Sequence, residues 1–183
     1  MSELTIRFRD MVLKRFSRWY AEQGYGFNFA VSLKAPATYK GYKRMPLTDT
    51  QINRLISSLN RKTMHGMRDY IIINLMHAYG LRDCEISRMD FSDIRLVDDE
   101  TKIFIRGKGE LDKNHPFELD QTTVNALQDY IANHRIDIKP NDPLFITYSP
   151  NSRGNRMRPS EVGRVVKLRM IAVGLTGPSF TAH

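Results

Sequence analysis

The stretch MRDYIIINLMHAYG, residues 67–80, is apolar on nearly every side. A helix without a polar face cannot lie on a surface and must be surrounded by other elements. This stretch is therefore read as the buried central helix, closed by Gly80 as its cap, with His77 as a core histidine of no chemical role. A chain of 183 residues is long enough to enclose it in one domain, or in one domain beside a fragment of another.

The remaining elements follow from spacing and caps. Leu4, Phe8, Met11, Val12, Phe16 and Trp19 recur at helical intervals and predict a first helix that ends near EQGYG. SLKAPATYKGYKRMP carries two prolines and four basic residues, which reads as a linker. A second unit opens at LTDTQINRLISSL, where Thr48 can cap a helix with Ile52, Leu55, Ile56 and Leu59 on one face. Asp83 is placed as the cap of a short helix after Gly80. DIRLV, TKIFIR and HPFEL read as strands, joined by the turn DDE and the loop GKGELDKN, with Pro116 marking a sheet edge. Two further amphipathic helices are expected, one capped by Asp120 with Val124, Leu127 and Ile131 inward, the other capped by Ser160. The fold class is α+β, mainly helical, with a small three-stranded antiparallel sheet.

Charge is unevenly placed. Of the net +8, residues 1–45 hold +6, residues 46–152 hold −3 and residues 153–169 hold +5. Basic blocks can simply solvate helix faces, but two of them flanking a mildly acidic body point to a polyanionic partner, and nucleic acid is the commonest one inside a cell. Lys43, Arg44, Lys113, Arg153, Arg156, Arg158 and Arg164 are the DNA-binding candidates. The single cysteine, Cys84, gives neither a disulfide framework nor a cysteine-based zinc site, so a reducing, cytoplasmic setting is expected. No apolar run approaches the roughly 18 residues of a spanning helix, and neither membrane nor export signal is expected.

Arg82 poses the chemical question. It follows a helix-closing glycine and precedes the acidic start of the next helix, where exposed amides already carry partial positive charge. A phosphate would resolve the conflict, because a guanidinium binds phosphate oxygens in a two-pronged way and stays charged at any working pH. Glu85 can reach back to support Arg82, and an ion pair with Glu85 or Asp83 is the competing structural reading. Lys108 lies between two glycines on the hairpin loop, where a mobile lysine can meet DNA and protonate a departing oxygen.

Gly80-Leu81-Arg82 with Glu85-Ile86 and Asp93-Ile94, then Gly107-Lys108-Gly109 before Pro116, then GPSFTAH after Gly174-Leu175, resemble in order and spacing the tyrosine recombinases: the phage and transposon integrases and the Xer recombinases. The resemblance covers residues 44–183 as the catalytic domain. Residues 1–43 look like the last helix of the family's N-terminal DNA-clamping (core-binding) domain plus a basic linker. It implies catalytic roles for Arg82, Lys108 and His183, with Lys113 as an alternative lysine in the same loop. It also implies strand cutting through a 3′-phosphotyrosine and rejoining, with no metal, ATP or other cofactor, and a homotetramer on DNA from a protein monomeric in isolation.

The chain departs from the family pattern at Asp83-Cys84, where small or apolar residues are commoner, and in a slightly long lysine loop. All eight tyrosines precede His183, whereas the family's nucleophile follows that histidine, so none is carried over. The catalytic domain is expected to be C-terminally incomplete and inactive alone. A non-catalytic DNA-binding protein derived from a recombinase is the alternative, and a metal-dependent nuclease fits poorly.

Overall fold

The computed structural model describes residues 3–34, 46–107, 110 and 112–177. Lys43, Arg44, Lys108 and His183 lie outside the described residues. The chain divides into two compact units, Met1–Lys43 and Arg44–His183.

The first unit is helix α1 (Glu3–Glu22) with a hook that returns to its C-terminal half. Ser17, fully buried, donates to Asn28 at 2.7 Å and accepts the Ala30 N–H at 2.9 Å. Ring contacts of Tyr20 with Tyr25 and of Phe16 with Phe29, at 5.7 and 6.4 Å between centroids, close the hook. The apolar stripe read from the sequence forms, but Leu4 and Phe8 remain 73% and 61% exposed.

The second unit is built around α3 (Met64–Ala78), joined by α2 (Asp49–Ser57), α4 (Asp83–Ser87), α5 (Gln121–His134) and α6 (Pro159–Ala172). Thr48 caps α2 as expected and Asp120 caps α5, each side chain accepting a backbone N–H in the first turn. α3 packs on α2, α5 and α6, and α4 packs on α6. Ile71, Ile72 and Leu75 of α3 meet Leu127 and Tyr130 of α5 and Val162 and Met170 of α6 in one apolar core. His77 departs from its expectation. The burial of α3 stops at Leu75 and Met76, leaving His77 exposed.

A 3-10 turn (Phe91–Asp93) leads into β1 (Ile94–Val97), β2 (Glu100–Ile105) and β3 (His115–Glu118), an antiparallel sheet in the order β1-β2-β3. Val97 pairs with Glu100, so the connection is the two-residue turn Asp98-Asp99. Both aspartates have positive φ, 54° and 62°, the geometry whose twist matches that of the flanking strands. Pro116 sits on an edge strand, where its missing N–H leaves no central ladder bond unmade.

Two helix starts differ from the sequence reading. Arg82, not Asp83, is the N-cap of α4, and Arg158, not Ser160, is the N-cap of α6. In each case a glutamate three residues on bonds the cap's backbone N–H, Glu85 at 2.7 Å and Glu161 at 2.7 Å, so the carboxylate satisfies the helix end and a serine or aspartate cap is unnecessary. Pro159 occupies the first turn of α6, where its lack of an N–H costs nothing.

Ile86, with no exposed surface, fixes the five-residue α4 to the core. Ile86→Ala is expected to lower stability by about 2–5 kcal/mol, read by urea unfolding of the chain.

Candidate active site

Arg82 is set by three successive devices. Gly80 takes φ of +65°, ending α3 in a conformation that side-chain-bearing residues resist. Leu81 is buried and anchors the turn. Arg82 then adopts an extended backbone, φ −84° and ψ 156°, and starts α4.

Glu85 holds Arg82 twice, accepting its backbone N–H at 2.7 Å and a guanidinium N–H at 2.6 Å. The two side chains differ sharply in exposure, 63% for Arg82 and 6% for Glu85. A buried carboxylate thus grips one corner of an exposed guanidinium, and most of the five N–H donors point to solvent. The Glu85 hydrogen bond, reinforced by its charge, raises the Arg82 pKa further above its ordinary value. The cation is permanent, oriented, and able to take a doubly bonded oxyanion on its open edge.

The C-cap of α3 is Tyr79 rather than Gly80, which follows it, and Tyr79 fastens the same turn from the α3 side. Its hydroxyl donates to Asp120 at 2.6 Å and accepts the Asp120 N–H at 2.9 Å, while Thr123 donates to the same carboxylate at 2.9 Å. The Tyr79 hydrogen bond is the largest influence holding the Asp120 carboxyl below its usual range. Burial, then Asp120, pushes the Tyr79 phenol up.

The DNA-binding candidates in the second basic block separate by environment. Arg153, Arg158 and Arg164 are exposed. Arg158 lies 3.4 Å from Glu161, repeating at α6 the arginine-glutamate arrangement of α4. The two helices pack on each other, with Asp83 facing Gly163.

Arg156 and Lys113 are engaged within the chain. Arg156 pairs with Asp90 and donates to the carbonyls of Ser87 and Met89, both at 3.1 Å, at the C-terminal end of α4. Lys113 donates to Asp90 at 2.6 Å and also binds Asp93. Burial pushes the Asp90 carboxyl upward, but the hydrogen bonds and charges of Lys113 and Arg156 outweigh it and hold the group below its ordinary range.

A second charged cluster lay hidden in the apolar stretch. Arg68 and Asp69 are buried, joined at 2.7 Å, and Arg169 of α6 reaches the other oxygen of Asp69 at 2.7 Å. Two adjacent charges inside an otherwise apolar helix were the available signal. Among the described residues, no group of three or more His, Cys, Asp or Glu side chains is arranged to hold a metal ion, and no helix is long and apolar enough to cross a membrane.

This arrangement of helices and sheet is that of tyrosine recombinase catalytic domains. A lambda integrase dimer bound to a COC′ core site superposes with a TM-score of 0.64 at 14% identity, over 97% of this chain and 62% of the other. XerA recombinase gives 0.59 at 19% identity, over 95% of this chain and 56% of the other. The signature of the phage integrase family matches residues 46–183, and the chain belongs to that family, the tyrosine recombinases. A tyrosine recombinase of Synechococcus elongatus is 27% identical over 183 residues, which is 100% of this chain and 56% of that protein. Tyrosine recombinase XerC of Chlamydia trachomatis is 28% identical over 185 residues, with the same two coverages, 100% and 56%. The chain spans about half the length of the curated relatives it matches.

Tyr79→Phe is expected to cost about 1–3 kcal/mol at neutral pH, the net worth of the two hydrogen bonds its hydroxyl makes with Asp120. The folded-state pKa of Asp120 is depressed, so its stabilising contribution is full above the unfolded value of about 3.9 and is lost as pH falls through the folded value. The gap between wild type and Tyr79→Phe in urea unfolding should therefore narrow under acid.

Proposed function

We propose that this chain is part of a site-specific DNA recombinase that cuts and rejoins duplex DNA through a 3′-phosphotyrosine intermediate. The observation that carries the reading is the exposed guanidinium of Arg82, oriented by buried Glu85 at the start of α4. Arg82 binds the scissile phosphate and stabilises the extra negative charge of the five-coordinate transition state. Such preorganised donors contribute several kcal/mol to a reaction barrier. In this reading Lys108 protonates the departing 5′ oxygen, His183 assists by acid-base work or hydrogen bonding to the transition state, and the intact enzyme acts as a tetramer on DNA.

Arg153, Arg158 and Arg164 contact the backbone together with Lys43 and Arg44 of the linker. Positive side chains do the charge neutralisation that metal ions supply in many nucleases.

None of the eight tyrosines is assigned as the nucleophile. Tyr70 and Tyr130 are buried, Tyr79 is bonded to Asp120, and Tyr148 lies 3.1 Å from the Tyr130 hydroxyl. Tyr20 and Tyr25 belong to the aromatic hook of the first unit, and Tyr39 and Tyr42 lie outside the described residues. These assignments equally suit a recombinase-derived protein that occupies DNA sites without cutting. A suicide duplex resolved on a denaturing gel is expected to show no covalent adduct with this chain. An adduct would make one of these tyrosines a nucleophile.

Two measurements test the DNA and phosphate roles. Neutralising Arg153, Arg158 and Arg164 together should flatten the slope of log affinity against log salt by about 2–3, near 0.9 per lost phosphate contact; an unchanged slope places this block away from DNA. In a chimera that adds a relative's nucleophile-bearing segment, Arg82→Lys should keep charge but lose two-pronged geometry. Cleavage should fall on the order of 10² or more with binding held within roughly tenfold by the other phosphate contacts. Cleavage near the wild-type rate would remove Arg82 from the chemistry and favour the non-cutting reading.

A further inference from the structure

Asp90 joins three separate stretches of the second unit. It lies just beyond α4, Lys113 comes from the loop between β2 and β3, and Arg156 comes from the approach to α6. Asp93 completes the group, binding Lys113 and accepting the Asp90 N–H at 2.7 Å. The cluster contains two carboxylates, one ammonium and one guanidinium, so it is neutral. The side chains of Asp93, Lys113 and Asp90 are only 4%, 17% and 24% exposed. Removing a lysine this far from water is costly unless carboxylates compensate it, and two of them do.

We infer that Asp90, supported by Asp93, is a positioning residue that locks the hairpin bearing Lys108 to the helix bearing Arg82, through Lys113 on one side and Arg156 on the other. The inference rests on the reading of Arg82 and Lys108 as partners at one phosphate. A bonded path runs from Arg82 through α4 to the carbonyls of Ser87 and Met89, which Arg156 binds, then to Asp90 and to Lys113 of the hairpin loop.

The hairpin is fastened from within as well. Gly107 and Glu110, which flank Lys108 in sequence, are joined by a backbone hydrogen bond of 3.2 Å, and Glu110 meets His115 at 2.7 Å. A Cβ at position 107 would fall 2.7 Å from the His115 ring, so a larger residue there would require His115 to shift from Glu110. Of the described loop residues, Gly107 and Glu110 are thus joined to each other and Lys113 is anchored to the body. Transfer chemistry needs reacting groups held to within about 1 Å, and Asp90 supplies that constraint between groups from different elements. A neutral, internally satisfied cluster also has little to offer a passing phosphate, so Lys113 and Arg156 act on DNA through placement rather than contact.

The test is lysine-selective acylation, read by mass spectrometry, of this chain free and bound to a duplex oligonucleotide selected by it from a random pool. Lys102 on β2 is the internal control. In the wild type, DNA should protect Lys108. In Asp90→Asn, and independently in Lys113→Met, that protection should fall by about threefold or more, as expected when a loop gains access to open states. Lys102 and overall affinity should stay unchanged, and Asp90→Glu should restore protection. A merely structural cluster would lower the melting temperature in these variants without moving Lys108. Undiminished protection in both folded variants overturns the positioning role and leaves the reading of Lys108 standing. Absence of protection in the wild type overturns both.

Discussion

The constraint on which the second unit depends is the burial of α3. A helix with Ile71, Ile72 and Leu75 wholly removed from water must be covered from several directions, and α2, α5 and α6 do the covering. Buried hydrocarbon contributes about 25 cal/mol for each Å² removed from water, so these contacts determine where every neighbouring element can lie. The place where α3 ends is then also determined. Gly80 turns the chain, Leu81 returns to the core, and Arg82 is delivered to the surface. A requirement of apolar packing has fixed the position of a charge.

The charges follow a second rule, in which exposed cations are supported by buried anions. An arginine at a helix N-terminus opposes the local field of the helix, and α4 and α6 each begin with one. Glutamate at the third helical position answers both the cap's N–H and the guanidinium, and in α4 that glutamate is nearly inaccessible to water. The carboxylate is thereby withheld from solvent while the cation is presented. An anionic partner meets a guanidinium already aligned, with little side-chain freedom left to lose on binding.

Much of this was legible in the sequence because it is local or periodic. The central helix, the short strands, the place of the turn between β1 and β2 (though Glu100, read as part of it, pairs in β2) and the support of Arg82 by Glu85 all depend on residues within a few positions of one another. The cap assignments failed for an equally local reason: Asp83 and Ser160 have the chemistry of caps, but the glutamates behind Arg82 and Arg158 satisfied those helix ends first. His77 was misplaced because composition alone does not mark where along a helix the cover ends. The partners of Lys113, Arg156 and Asp69 were invisible for another reason. They lie 20 to 23, 66 and 100 residues away in the chain, and no pattern of spacing announces a contact that tertiary structure alone creates.

The Asp69 cluster has a consequence for the order in which this unit can be assembled. Arg68 is its immediate neighbour, but Arg169 belongs to the last described helix. During synthesis from the N-terminus, α3 emerges long before the residue that completes the compensation of Asp69. An early collapse around α3 would enclose a carboxylate short of one of its two cations. The apolar core also lacks Val162, Val166 and Met170 until the same helix arrives. Both deficits end together when α6 docks, which couples filling of the core to neutralisation of its buried charge.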